Sequence, residues 1–287
     1  MKQLRISSCF NLHPRMSEDV NEHVKDGFRF YKENGLDAVD FGTTLLDLST
    51  DESWRPQVEQ ILKDSEEFGI RCEMGHLPFL GGISKNEEVM ENFKNKMHHA
   101  IDAAAALGIG YAVMHPNASN MPMRKYDHKE QYDATMDLIA PFVEHANRVG
   151  LNVVLENMRV VPGLMHVHRF GQTAEEICDI ADALGMGICW DFGHANISGV
   201  KQSESLAYIG KRLKVIHVND NCGIEDEHIL PFTGNVDWRD AMHGLALAEY
   251  EGLFNFELNL GRVPASMRKA YTGYVLEAAK ELMSYIE

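Results

Sequence analysis

Histidine, aspartate and glutamate recur in this 287-residue chain at one kind of place, immediately after a short apolar, β-prone run. Gly75-His76-Leu77-Pro78, Met114-His115-Pro116, Leu155-Glu156-Asn157, Trp190-Asp191-Phe192-Gly193-His194 and Ile216-His217-Val218-Asn219-Asp220 share this form. Asp226-Glu227-His228 follows the last of these, and Phe256-Glu257-Leu258 closes the series. An unpaired carboxylate or imidazole at such depth is strongly disfavoured, so these groups need a common partner. Carboxylate oxygen mixed with imidazole nitrogen suits Zn²⁺, Mn²⁺, Co²⁺ or Mg²⁺, and no cysteine stands at these positions to build a soft thiolate site. Asp191 and His194 flank a short turn, and Asp226 and His228 are two residues apart, a spacing that points both along one side of an extended segment.

Taken singly, each histidine reads as a hydrogen-bonded structural side chain. Six strand ends in succession read as a metal site. For Glu156 and Glu257 the competing reading is an ion pair across the same mouth, but Asp191 and His217 fall on the two runs between them and favour the metal. His98 and His99, within a helical stretch, read as solvated surface, and Trp190 and Trp238 as packing residues. His166 and His168 stand in the long segment after the fifth run, where with Arg159 they could close over a substrate.

A scaffold must bring these ends to one axis. Apolar runs at Leu4–Ser8, Ala38–Phe41, Ile70–Gly75, Tyr111–His115, Asn152–Glu156, Gly187–Asp191, Lys214–Val218 and Leu253–Leu258 alternate with helical periodicity near 18–34, 53–68, 86–107, 127–149, 173–184, 201–212, 237–249 and 265–286. Gly35, Gly69, Gly108, Gly150 and Gly185 stand where helices should stop. Strands separated by helices form parallel βαβ units. Eight such rounds predict one α/β domain over residues 1–287, an eight-stranded (β/α)8 barrel of the TIM type, whose chemistry sits at the carboxyl ends of the strands. An open doubly wound sheet is the alternative, but the first βα turn has no G-x-G-x-x-G phosphate cradle.

The formal charge of −16 repels polyanions, and no run of Lys and Arg offers a nucleic-acid groove. Apolar runs such as Ala103–Leu107 are too short to cross a membrane, and Met1-Lys2-Gln3-Leu4-Arg5 is no signal-peptide start. Cys9, Cys72, Cys178, Cys189 and Cys222 are odd in number and lack C-x-x-C spacing, as reduced core thiols would be. These features lead us to expect a cytoplasmic protein with a small-molecule partner, no nucleic acid and no membrane; a homo-oligomer is left open.

The same motifs resemble the xylose-isomerase-like barrel superfamily, which holds sugar and sugar-phosphate isomerases and epimerases and also endonuclease IV. Nearly the whole chain takes part. Asp226-Glu227-His228 followed by Pro231-Phe232-Thr233-Gly234-Asn235-Val236-Asp237-Trp238 is similar to a D-x-H…G-x-G-x-(I/V)-D-W signature of sugar-phosphate isomerases, with Asn235 in place of the second Gly. The resemblance implies a single ion held by Glu156, Asp191, His217 and Glu257. Endonuclease IV holds three zinc ions on nine side chains, and its motifs match His76, His115, Glu156, Asp191, His194, His217, Asp226, His228 and Glu257, which leaves room for a second or third ion. The arginine that ketose 3-epimerases carry soon after their histidine ligand is missing, since no Lys or Arg lies between Lys214 and Arg239.

The expectation is a metal-dependent isomerase or epimerase of a sugar, sugar phosphate or related hydroxy-carbonyl compound, working through an enediolate. Glu156 and Glu257 would be acid and base, and His194 would orient a substrate hydroxyl. An endonuclease IV-type zinc phosphodiesterase is the alternative, disfavoured by net charge and by the absence of its Arg- and Gly-rich DNA loops. A non-catalytic or lyase-subunit barrel is a third reading, disfavoured because every ligand type is present.

Overall fold

A computed structural model describes residues 5–9, 12–13, 17–118, 120–160, 167–260 and 263–286. The strands are β1 (Ile6–Cys9), β2 (Ala38–Gly42), β3 (Arg71–His76), β4 (Tyr111–Met114), β5 (Asn120–Pro122), β6 (Val153–Glu156), β7 (Val167–Arg169), β8 (Gly187–Asp191), β9 (Leu213–Val218) and β10 (Phe254–Phe256). Eight close into a barrel in the order β1-β10-β9-β8-β6-β4-β3-β2, every neighbour parallel. The remaining two, β5 and β7, pair as a small antiparallel ribbon.

Helices α1 (Val20–Asn34), α2 (Arg55–Phe68), α3 (Glu87–Ala106), α4 (His128–Val149), α5 (Ala174–Leu184), α6 (Phe192–Ser198), α7 (Gln202–Ile209), α8 (Trp238–Leu247) and α9 (Arg268–Ser284) alternate with the barrel strands. Their apolar faces cover the outside of the barrel, which is why the strands read as continuous apolar runs. Asp19, Asn86, Asp127, Thr173 and Asp237 accept from free N–H groups at helix starts. The expected glycine stops hold for α1, α2, α4 and α5, and Gly108 follows Leu107, the last cap of α3.

Inside the barrel, Met74, Val113, Val154, Cys189 and Val215 form an apolar layer. Side chains alternate along a strand with a period of two. The next inward positions toward the carboxyl ends are therefore His76, His115, Glu156, Asp191 and His217. On β10 the buried Asn255 is followed in the same way by Glu257. The apolar layer thus fixes where the polar groups converge.

Several expectations need correction. The eighth barrel strand covers only Phe254–Phe256, and Leu4 of the first lies outside the described residues. Helix α6 starts directly from Asp191, where a turn was expected. His98 and His99 are half-buried rather than solvated: His98 Nδ1 lies 2.7 Å from His145 Nδ1, and His99 Nδ1 lies 2.9 Å from the Leu48 carbonyl. Trp190 and Trp238 are buried as packing residues should be. Cys72, Cys178, Cys189 and Cys222 are free thiols, Cys222 exposed and the other three buried. Among the described residues no helix is long and apolar enough to cross a membrane.

The segment after β9 is tied down by Asp220, which is fully buried. Its Oδ1 accepts from the backbone N–H of Asn221 at 2.9 Å and of Val236 at 3.1 Å, and its Oδ2 from Trp238 Nε1 at 3.1 Å. A Cβ at Gly234 would lie 2.3 Å from Asp220 Oδ1, so only glycine lets the returning chain come this close. Asn235 fits where the signature has its second glycine, donating from Nδ2 to the Cys222 carbonyl at 3.0 Å. Asp220→Ala leaves three donors without an acceptor and should lower stability by about 3 kcal/mol. An unchanged urea-unfolding midpoint would show that the loop does not depend on it.

Candidate metal centre

Glu156, Asp191, His217 and Glu257 each present one ligand atom, all within 4.8 Å of one another. His217 Nδ1 is the hub, 3.2 Å from Glu156 Oε1, 3.1 Å from Glu257 Oε2 and 3.8 Å from Asp191 Oδ2. Asp191 and His217 are fully buried and Glu156 is 1% exposed, so water reaches the three crowded carboxylates only from the side of the partly exposed Glu257.

The other sequence candidates surround this group. His115 Nε2 stands 3.0 Å from Glu156 Oε2, and His76 Nε2 3.5 Å from Glu257 Oε1. On the opposite flank, Asp226 Oδ1 lies 3.5 Å from His194 Nε2 and 3.2 Å from His228 Nε2. Arg159 Nε reaches Asp226 Oδ2 at 2.6 Å. All nine candidates reach one mouth. His168 does not join them: it pairs with Glu176 at 2.7 Å in the ribbon. His166 lies outside the described residues.

The imidazoles are preset for ligation. His194 Nδ1 faces the Asn157 carbonyl at 2.8 Å and His228 Nδ1 faces the Glu257 carbonyl at 3.0 Å. A carbonyl only accepts, so each Nδ1 carries the proton, and the neutral ring then presents the lone pair of Nε2 to the site. His76 Nδ1 meets Asp40 Oδ1 at 3.0 Å in the same sense. Glu156 Oε2, Glu257 Oε2, Asp226 Oδ1 and His76 Nε2 are buried with no hydrogen-bond partner of good geometry. Orphaned acceptors of this kind, gathered from several strands, fit a divalent cation.

Asn157 and Asn219 stand inside the strand-end motifs but carry no charge to mark them as site residues. Asn157 Oδ1 accepts from the Asp191 N–H at 2.6 Å, and Asn219 Nδ2 donates to Asp191 Oδ2 at 2.7 Å. Asp191 Oδ1 also caps α6 through the His194 N–H at 2.6 Å. Gly193 makes room for this: a Cβ there would lie 1.9 Å from Asn219 Oδ1. His228 has φ 49°, a left-handed value uncommon for a side-chain-bearing residue, and is held there by the neighbouring Asp220–Ile229 bridge. Asp40 was also missed, although it is the one charge in the second apolar run.

Without an ion, protons on the imidazoles offset the carboxylates. Burial pushes the imidazoles down, but Asp40 holds His76 at about 9, Asp191 with Asp226 holds His194 at about 9, and Glu257 with Asp226 holds His228 at about 10. Burial would raise Glu156, Glu257 and Asp226, yet the surrounding histidines hold all three below the usual carboxylate range; Asp191 alone is raised, by burial. A raised histidine stabilises the fold below about pH 6.5, and this is lost as pH rises through its folded value; a depressed carboxylate stabilises above about pH 4.5, and this is lost in acid. Metal-stripped protein should therefore melt highest at about pH 5 to 6.5 and lose melting temperature toward pH 9 to 10. Saturating Zn²⁺ or Mn²⁺ should abolish the alkaline decline. A flat metal-free profile across that window would contradict the charge arrangement.

Comparison with known proteins places this geometry in context. The chain is 30% identical over 189 residues to the uncharacterised protein MJ1311 of Methanocaldococcus jannaschii, a match covering 63% of this chain and 62% of that one. It thus spans less than two thirds of that relative's length. A D-tagatose 3-epimerase-like protein superposes with a TM-score of 0.73 at 20% identity, covering 98% of both chains. The 3-keto-D-glucoside 4-epimerase YcjR of E. coli superposes with a TM-score of 0.73 at 17% identity, covering 97% of this chain and 100% of that one. At these identities the likeness is one of fold. The family model of the xylose isomerase-like TIM barrel matches residues 28–281, and the chain belongs to that family.

Proposed function

We propose that this protein is a divalent-metal-dependent isomerase or epimerase of a small sugar, sugar phosphate or related hydroxy-carbonyl compound. The observation that carries this reading is the pair Glu156 and Glu257. They come from β6 and the end of β10, with β8 and β9 between them in the ring, and they meet at His217 Nδ1 from 3.2 and 3.1 Å. A substrate lying over the centre would have a carboxylate on each side, one to remove a proton and the other to return it. Glu156, Asp191, His217 and Glu257 would hold the ion, which supplies Lewis acidity toward a carbonyl with its neighbouring hydroxyl and charge for the enediolate. His194 would orient a substrate hydroxyl. The sugar epimerases that share the fold support this substrate class, and free cysteines suit a cytoplasmic enzyme.

A second reading, phosphodiester hydrolysis with two or three ions, is favoured by one observation. His76, His115, His194, Asp226 and His228 face the same mouth with orphaned atoms among them. The formal charge of −16 weighs against a polyanionic substrate and keeps this reading second.

Elemental analysis should find at least one divalent transition ion per chain, and Asp191→Asn or His217→Ala should lower occupancy far more than His98→Ala. Metal-free protein that gains no thermal stability from Mn²⁺ or Zn²⁺ would refute the metal site. Bound ions roughly 3.5–4 Å apart would move the balance toward hydrolysis. With a single ion, His115→Ala should weaken substrate binding and leave the metal in place.

Glu156→Gln and Glu257→Gln keep shape and an oxygen but remove the base, so each should lower turnover at least about a hundredfold. Incubation with ketoses, aldoses and their phosphates in deuterated water, with metal content measured on the same samples, checks this. A metal-replete Gln variant that exchanges substrate hydrogen at the wild-type rate would exclude that glutamate. Abasic-DNA cleavage faster than any sugar turnover would overturn the isomerase reading.

A further inference from the structure

Asp40 belongs to none of the strand-end motifs and is fully buried inside the barrel, below the mouth. The pairing of β2 with β3 shifts register between Val39 and Asp40, and an irregularity of this kind re-aims the side chain beside it. The Asp40 carboxylate accepts from Asn255 Nδ2 at 2.7 Å through Oδ2 and from His76 Nδ1 at 3.0 Å through Oδ1, while His217 Nε2 lies 3.9 Å from Oδ2. Asn255 is itself fixed, because its Oδ1 accepts from Ser7 Oγ at 2.8 Å and so turns the amide nitrogen toward Asp40. The rings of His76 and His217 stack with centroids 4.8 Å apart directly above. No lysine or arginine pairs with Asp40 among the described residues.

We infer that Asp40 is a positioning residue for the metal centre: it holds His76 with Nδ1–H against the carboxylate and Nε2 toward Glu257, and so sets how tightly an ion is bound on the His76 side of the mouth. The inference rests on the metal reading above. Carboxylates behind ligating histidines fix both ring orientation and the protonated nitrogen. Both Asp40 oxygens are engaged within the barrel, which sets this residue apart from the carboxylates with orphaned oxygens. Asparagine cannot replace it. A side-chain amide has one oxygen, and two donors, Asn255 Nδ2 and His76 Nδ1, require an acceptor here.

The test is a chelator-buffered Zn²⁺ titration of metal-stripped wild-type and variant proteins in one common buffer. Asp40→Asn should weaken one zinc step by about ten- to a hundredfold and leave any other within about threefold. The visible spectrum of Co²⁺-substituted protein should change at the same step. Val275→Ala, which opens a buried apolar site on α9 away from the mouth, should titrate like wild type. Should Asp40→Asn fail to fold, Asn255→Ala keeps the carboxylate but releases it, and should weaken the same step by at least about threefold.

Wild-type zinc binding with an unaltered Asp40→Asn titration overturns this inference alone. Equal weakening of every step, or an equal loss in Val275→Ala, reduces Asp40 to a structural role and overturns it too. A zinc-loaded structure with an Asp40 oxygen bonded to the ion overturns it by making the residue a ligand. Wild-type protein that binds no zinc at all overturns the metal reading together with this inference.

Discussion

The inward register of the strands is the constraint on which the rest of this structure depends. Once Met74, Val113, Val154, Cys189 and Val215 pack against one another across the barrel, the period of two leaves no choice about the next inward positions. Slipping any one strand by a single residue would send its site residue outward into the helices and a neighbouring apolar side chain into the mouth. The hydrophobic layer thus acts as the jig for the polar one. Polar groups below the rim, such as the fully buried Ser7, Asp40 and Asn255, occur where β1, β2 and β10 complete the ring, and they hydrogen-bond to one another instead of packing.

That jig forces like charges together. Glu156, Asp191 and Glu257 surround one imidazole nitrogen, and the low-dielectric interior magnifies their repulsion. Two devices contain it. Donors with no other task fix the carboxylates: Asn219 Nδ2 and the His194 N–H bind Asp191. On the outer flank Arg159 neutralises Asp226, whose Oδ1 stays directed at the Nε2 atoms of His194 and His228. The orientation of the His194 and His228 rings follows from a backbone carbonyl behind each, and that of His76 from the buried Asp40 carboxylate. The site's geometry is therefore set by the fold before any ligand arrives.

How much of this could be read from sequence differs from residue to residue. The candidate site residues are legible because a charged residue at or just after the end of an apolar run has few alternatives, and all nine that were singled out do meet at the mouth. Asp40 escapes the same logic: Ala38-Val39-Asp40-Phe41 places the charge inside the run, and only the register shift after Val39 shows where it turns. Helix α6 was hidden because Asp191-Phe192-Gly193-His194 reads as a turn, whereas Asp191 also serves as N-cap. The β5–β7 ribbon has strands of three residues, too short for any periodic signal. His98 and His99 were misread because they flank the exposed side of α3 and are half-buried, and His98 finds His145 across the α3–α4 contact.

Glu156, Asp191 and His217 stand on strands, whose positions the apolar layer fixes, while the segments after β3 and β4 form walls beside them. Those walls are joined by Arg169 of β7, which is buried and donates to the carbonyls of Ala118 at 3.1 Å and Gly81 at 3.0 Å. The same guanidinium lies over Phe79, whose ring contacts His115 at 4.4 Å and remains 47% exposed. One buried cation therefore links the β4–β5 connection, the ribbon and an exposed aromatic ring next to a candidate ligand. A barrel can keep its strand ends unchanged while such walls change shape, so one scaffold can host different chemistries. In this chain that wall hangs on a single buried guanidinium, so its shape depends on Arg169 and not on the residues at the strand ends.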